Sequence, residues 1–499
     1  MTKPRPTPLD SPRDFRINEM FFSTTDRRGV IQSGNGVFER VSGYTWDELF
    51  GQPHNVIRHP HMPRSVFRVV WSFLLKANPV AGFVKNLASD GRHYWVVAFL
   101  MPIAGGRFLS IRFKPSSGLL PVVEDLYRRM CACERECEAA AKGGEAMQAA
   151  EELMLGALRE RGFASYDAFM RALLHGELKS RDAAIAQQGL SLFPAELAGG
   201  ADDRRSASLR AIHASGLAAY RQIELLYVQL DEFTALNDKL AEKSAFVLGL
   251  TREFRFIAFN AALRSARLGE EGRSLIVIAD YLNTVSARLG GAVETLTQRI
   301  AAISEKLREV IFNLAAARLQ IEMVLGFCAE LHAIGAQEPA ASRRQRMIED
   351  LQLAFAETVA CAVRTLAGLE RDLALLGDSS ADLRRLVLTM QVAQVGGLVE
   401  ACRLKDDDSF TVMFADLRLG VEGTKAALEE LDGAGARLAV LAEETPRIER
   451  IISQAVAAMA GAVRALHDST PATNHQKVDT PAGGMDAPVR DAEPVLAAV

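Results

Sequence analysis

Val41–Trp71 reads VSGYTWDELFGQPHNVIRHPHMPRSVFRVVW, and Gly82–Val96 reads GFVKNLASDGRHYWV. In the second stretch Asp90-Gly91 separates two runs of apolar and aromatic residues, the pattern of a β-hairpin. In the first, a polar loop bearing His54, Asn55, Arg58, His59 and His61 runs into an apolar segment from Val66 to Trp71. Planar donors next to aromatic faces suit a flat, anionic, aromatic molecule.

Two more turn signals flank this core. Thr24-Thr25-Asp26 with Arg28-Gly29 precedes it, and Gly105-Gly106 leads into Arg107–Phe113. Together they predict an α+β domain over 15–118, an antiparallel sheet with short helices. Residues 1–14 read as a Pro-rich flexible arm. After Leu119 strand signals almost vanish and Ala, Leu, Glu and Arg dominate. Helices are expected from about Leu120 to Ala141 and from Gly144 to Arg161, with a looser stretch ending at Phe193-Pro194 and Gly199-Gly200. No proline follows until Pro339, and then none until Pro446, which suits long helices. The division expected is a helical linker over 119–203, helical regions over 204–338 and 339–470, and a disordered tail over 471–499.

Ile223, Leu226, Leu230, Phe233, Asn237, Leu240 and Val247 follow a 3-4 repeat, with Ser244 filling the gap. This fits either a coiled-coil seam, in which Asn237 fixes register, or one face of a compact bundle. The stretch from Phe259 also aligns without gaps with the stretch from Val395, so that Arg267 meets Arg403 and Ala279 meets Ala415. Each copy is a helical run, a charged break and a second helical run, which reads as a repeated helical hairpin. The fold class is therefore an α+β domain followed by an all-α helical-hairpin or coiled-coil region.

The chain has 499 residues, too many for one core, and a net charge of −4. That balance gives no reason to expect nucleic acid or an anionic membrane as partner. No run of about eighteen apolar residues occurs, and the N terminus lacks a signal-peptide core, so a cytoplasmic chain without a membrane span is expected. Cys131, Cys133 and Cys137 match no zinc spacing and read as helix-face thiols rather than a metal site. No Walker loop, dinucleotide glycine fingerprint or nucleophile elbow is present, so an enzyme is not expected.

The stretches STTDRRGVI, VSGYTWDEL, GQPHNVIRHPHMP and KNLASDGRHYWV resemble the sensory PAS domain of bacterial aerotaxis receptors. That resemblance implies bound flavin adenine dinucleotide (FAD), with Asn35, Arg58, His59, Phe67, Trp71 and Asn86 at the cofactor-associated positions. His61 stands where that family has aspartate. Haem is a less favoured candidate, because His54, His59, His61 and His93 sit on a polar loop and a hairpin. With no cysteine in residues 1–118, a flavin–cysteine photoadduct is excluded. The family's membrane anchor has no counterpart after the domain.

AFNAALRSARLGEEGRSLIVIADYL resembles the signalling tip of methyl-accepting chemotaxis proteins, keeping Asn260, Ala266, Arg267, Gly269, Glu270, Gly272, Arg273 and Asp280, with Arg264 and Ser274 departing. The likeness implies contact with the chemotaxis kinase CheA and coupling protein CheW through Phe256, Phe259, Arg267 and Val277. It also implies a homodimer, whereas a self-contained bundle would be a monomer. The whole reads as a cytoplasmic redox or oxygen sensor in which FAD switches a helical output. The alternative is a cofactor-free PAS and helical scaffold for a signalling complex.

Overall fold

The computed structural model describes residues 5–140, 143–194, 196–197, 203–334, 341–403 and 408–468. The tail over 471–499, the Gly199-Gly200 pair and the second charged break at 404–407 lie outside them. The chain divides into two units. The first takes in the described residues of 1–224, 311–360 and 451–499, and the second those of 225–310 and 361–450.

In the first unit, β1 (Met20–Thr25), β2 (Ile31–Gly34), β3 (Val80–Leu87), β4 (His93–Ile103) and β5 (Arg107–Phe113) form one antiparallel sheet in the order β2-β1-β5-β4-β3. The turns fall where the glycines require. Gly91, between β3 and β4, has φ 84°, and a Cβ there would lie 2.4 Å from the Thr7 carbonyl oxygen. Between β1 and β3 the chain makes α1 (Gly36–Ser42), α2 (Trp46–Leu49), a 3-10 turn (His54–Ile57) and α3 (Arg64–Leu74). Of the segment expected as an arm, the Leu9 and Arg13 amides donate to the Gly91 and His93 carbonyls, both at 2.7 Å. Composition alone does not show this edge pairing.

Both faces of the sheet are covered. Val84, Asn86, Ala98, Leu100, Ser110 and Arg112 alternate toward α3 and the 3-10 turn. On the other face rest α4 (Leu120–Ala139), α6 (Tyr166–Gln187) and part of α8 (Arg273–Ile334); α5 (Gly143–Glu160) lies against α3 and α4. Tyr127 and Tyr166 donate to the β3 carbonyls of Phe83 and Ala81 at 3.0 and 2.9 Å. Phe327 meets Phe22 edge-on at 5.3 Å, and Phe312 meets Phe99 at 6.1 Å. Val310–Leu325 is buried on every side, the mark of a central helix. This accounts for α8 being long and apolar enough to cross a membrane, since 94% of its apolar window is buried inside the molecule.

The second unit is built from α7 (Arg204–Arg267), α8, α9 (Ala341–Ala401) and α10 (Asp408–Asp468). The 3-4 positions from Leu226 to Val247 are buried. Asn237 donates to the Ser304 hydroxyl, and Ser244 meets Thr297 at 2.5 Å, joining α7 to α8. Lys306–Asp372 at 2.6 Å joins α8 to α9, Gln394 to the Phe414 carbonyl at 3.1 Å joins α9 to α10, and Lys243–Glu430 at 2.9 Å joins α10 to α7. One chain thus closes a four-helix ring. Proline-free runs predicted long helices, yet Pro446 lies inside α10, at the cost of one backbone hydrogen bond.

A candidate ligand site in the first unit

The inner face of the sheet and α3 enclose a cavity of about 80 Å³. Phe67, Val70, Trp71 and Leu74 supply one wall; these positions share a face at helical spacing. The ring of Trp71 stands edge-on to Phe108 at 5.3 Å. Asn86, Ser110 and Arg112 line the opposite wall, and His54, Asn55 and Arg58 the mouth.

The sequence-predicted residues divide. Arg58, Phe67, Trp71 and Asn86 come together on this cavity, with the Arg58 guanidinium 4.5 Å over the Phe67 ring. Asn35 lies outside the lining. Its side chain caps α1 by accepting from the Phe38 amide at 3.4 Å, accepts from the Phe22 amide at 3.3 Å and donates to the Met20 carbonyl at 3.2 Å. His59 faces a second, outer cleft of about 450 Å³, also lined by Arg5, Asn55, Arg58, Arg64 and Arg135. Burial, then Lys85, His61 and His93, hold its imidazole down to about 3, so it is neutral and accepts from the His61 amide at 3.1 Å. Asn55 and Arg58 border both cavities and stand between them.

The outer cleft carries four arginines against Glu134 and Glu138. Both carboxylates are engaged: Glu134 accepts from the Arg64 and Ser65 amides at 3.0 and 2.8 Å, capping α3, and Glu138 pairs with Arg64 at 2.8 Å. The cleft is therefore left cationic. Cys131, with its thiol pushed up to about 11 by burial and then Glu134, borders the same cleft.

Sequence reasoning missed Arg112 and Ser110, and singled out His54 only as one of the loop's donors. Arg112 donates to the Ser23 hydroxyl at 2.8 Å and contacts the His54 Nε2 at 2.5 Å. Its guanidinium lies 5.3 Å from the Phe38 ring. Burial lowers it to about 10, and burial with Arg112 beside it holds His54 well below the usual histidine range. The signal was the spacing Ser110-x-Arg112 in β5, two polar residues on one face of a strand that is buried on both.

A family model described as the PAS fold matches residues 33–109. The chain is 43% identical over 114 residues to the aerotaxis receptor of Escherichia coli, covering 22% of each chain. It is 26% identical over 116 residues to the methyl-accepting chemotaxis protein HlyB of Vibrio cholerae, covering 22% of this chain and 21% of that one. Among solved structures, the PAS domain of a protein from Colwellia psychrerythraea is 24% identical and spans 19% of this chain and 85% of that one, with a TM-score of 0.17. The chain thus matches about a fifth of the length of these two curated relatives. Its N-terminal domain is a PAS fold, followed by long helices.

Proposed function

We propose that the first unit is a cytoplasmic redox or oxygen sensor whose PAS domain holds FAD, and that the second unit is its output. The observation that carries this reading is the pair of adjoining spaces. An apolar, aromatic-walled cavity lies next to an arginine-rich cleft, and Arg58 and Asn55 line both. A flat ring joined to a pyrophosphate has that division of chemistry. The donor set fits. Phe67 and Trp71 would face the ring and Asn86 would meet its polar edge, while Arg58, Arg64 and Arg135 would hold the phosphates. When bound, a flavin supplies a group whose charge and hydrogen bonding follow its electron count. The similarity to an aerotaxis receptor supports the same ligand class.

The chain's own residues define how a change in the pocket would travel. β5 presents Ser110 and Arg112 to the cavity, and Phe113 next to them meets the buried Arg181 guanidinium at 5.6 Å on the helical side. Arg181 pairs with Glu322 of α8 at 2.7 Å, and Glu322 pairs with Arg318 at 3.0 Å. A shift of β5 therefore strains a buried ion network in α6 and α8, with a cost of order 3–5 kcal/mol if a partner is lost. CheA and CheW are the proposed partners of the exposed face at Phe256, Phe259, Arg267 and Val277 in the second unit. Burial of the apolar window of α8 supports a core helix rather than a membrane span.

One observation favours the alternative, a cofactor-free scaffold. The inner cavity, about 80 Å³, is small beside the roughly 300 Å³ of ordinary ligand pockets. Arg58 stacked on Phe67 has to swing outward before a ring can enter. The visible spectrum of the purified full chain decides between them. Absorbance bands of oxidised flavin are expected, and a colourless protein with no extractable cofactor selects the scaffold.

A further inference from the structure

Three buried polar atoms of residues that line the inner cavity have no hydrogen-bond partner: Asn86 Nδ2, Ser110 Oγ and Arg112 NH1. Their residues are 2, 6 and 3% exposed. Asn86 is on β3 and Ser110 and Arg112 are on β5, the two strands that flank β4, and all three project from the same face of the sheet. A buried donor left without a partner destabilises the fold, and more so when it is charged. Three in one apolar cavity are too expensive to be incidental packing. Arg112 is the extreme case. Among the described residues no carboxylate pairs with it, and its neighbours are the neutral His54, a serine hydroxyl and aromatic rings.

We propose that Arg112, with Ser110 and Asn86, is an inner anchor that binds an electron-rich or anionic edge of the pocket's ligand, separate from the outer arginines that would hold phosphates. This rests on the reading of the pocket as a flavin site and assigns its sheet wall: two donors and a cation for the carbonyl-bearing edge of the ring. A ligand lacking such an edge would leave the Arg112 NH1 buried without a partner and its charge without a counter-ion, so Arg112 is a specificity-determining residue.

The test separates the ring edge from the phosphates. Full-length protein stripped of bound flavin is titrated with FAD, FMN and riboflavin. Arg112→Gln weakens all three by a similar factor of at least tenfold, because the ring edge is common to them. Arg135→Gln weakens FAD and FMN and leaves riboflavin unchanged. An Arg112→Gln protein that keeps riboflavin, or keeps all three, overturns the proposal. A merely structural role is separated by the melting temperature of the ligand-free protein. Arg112→Met removes a buried charge that no carboxylate balances and raises it, whereas a fall marks Arg112 as a folding residue and overturns the proposal. If the wild type takes up none of the three flavins, the flavin reading fails and the melting temperature alone decides. A rise keeps the anchor for another ligand with an electron-rich edge, and a fall removes it.

Discussion

Asn35 and Asn86 carry the same amide, and the fold gives them opposite work. Asn35 spends its side chain on three backbone groups of β1 and α1. Asn35→Ala should therefore cost about 1–2 kcal/mol of stability, seen as a lower melting temperature with an unchanged flavin-to-folded-protein ratio. Asn86 keeps its Nδ2 unpaired toward the cavity, so Asn86→Ala should leave stability within about 1 kcal/mol and lower flavin retention. Histidines set the response to acid. His59 titrates near 3 in the folded chain, below its ordinary value, so the unfolded chain binds the proton first as pH falls. Stability is greatest above the ordinary histidine range of about 6.5 and declines as pH drops toward 3. The hydrogen bond at the His61 amide and the neighbours Lys85, His61 and His93 define that site, and buried His54 adds loss in the same direction. Denaturant melts at pH 7 and pH 5 should show a smaller gap in His59→Asn. The aromatic and amide residues of the pocket were legible because they sit in a recognisable order, Phe67, Trp71 and Asn86. Arg112 was not, because an arginine in an exposed strand and one turned into a cavity look alike until the helices that cover the opposite face are in place.

At the scale of elements, local chemistry was most readable where glycine forces a conformation. Asp90-Gly91, Gly105-Gly106 and Asp26 with Arg28-Gly29 marked three hairpin turns, whereas the helix start at Asn35 was not read. The spacing of Leu226, Leu230, Phe233 and Leu240 marked a buried face, but could not say how many helices meet it. Contacts that depend on sequence-distant partners were invisible: nothing near Gly36 announces that its amide donates to Glu330 at 3.0 Å, nor near Arg107 that it grips Asp350 at 2.6 and 2.7 Å. Asn237 tests the seam. Its Nδ2 reaches Ser304 while its Oδ1 is buried without a partner. An amide in such a position trades stability for register. Asn237→Leu should raise the stability of the second unit by about 1–2 kcal/mol, read as a shift of the denaturation midpoint. Gly435, half-buried in α10 with nothing within 4 Å of where its Cβ would lie, offers a milder gain. Gly435→Ala should add about 0.5–1 kcal/mol through helix propensity.

For the molecule as a whole, duplication explains what a single hairpin does not. In the first helix of each hairpin the burial pattern agrees with the ungapped alignment: Ala258, Ala261 and Ser265 are buried like Gln394, Gly397 and Ala401. In the second helix it slips by one residue, since Leu275, Ala279 and Leu282 match Phe410, Phe414 and Leu417 rather than the positions after them. The alignment of Ala279 with Ala415 is corrected accordingly, because packing keeps buried faces together and the break between the helices absorbs the change. With that correction the exposed apolar residues also repeat. Phe256, Phe259 and Leu263 correspond to Val392, Val395 and Val399, and Val277 to Val412, all of them well exposed. Two like stripes therefore stand on one chain, on a four-helix ring that needs no second copy to close it. Sedimentation equilibrium should accordingly give the mass of one chain, 54.4 kDa, and a dimer would mean that the stripes associate with each other. If the stripes are instead the surface offered to a kinase and its coupling protein, each chain should present two sites. Phe256→Glu should remove one, halving the stoichiometry measured by calorimetry, and Phe256→Glu with Val392→Glu should abolish binding. A charge at the centre of an apolar contact costs about 2 kcal/mol or more, which is over tenfold in affinity per site. Binding unaffected by either change would remove both stripes as the docking surface and leave Arg267 and the tip turn as the places to look.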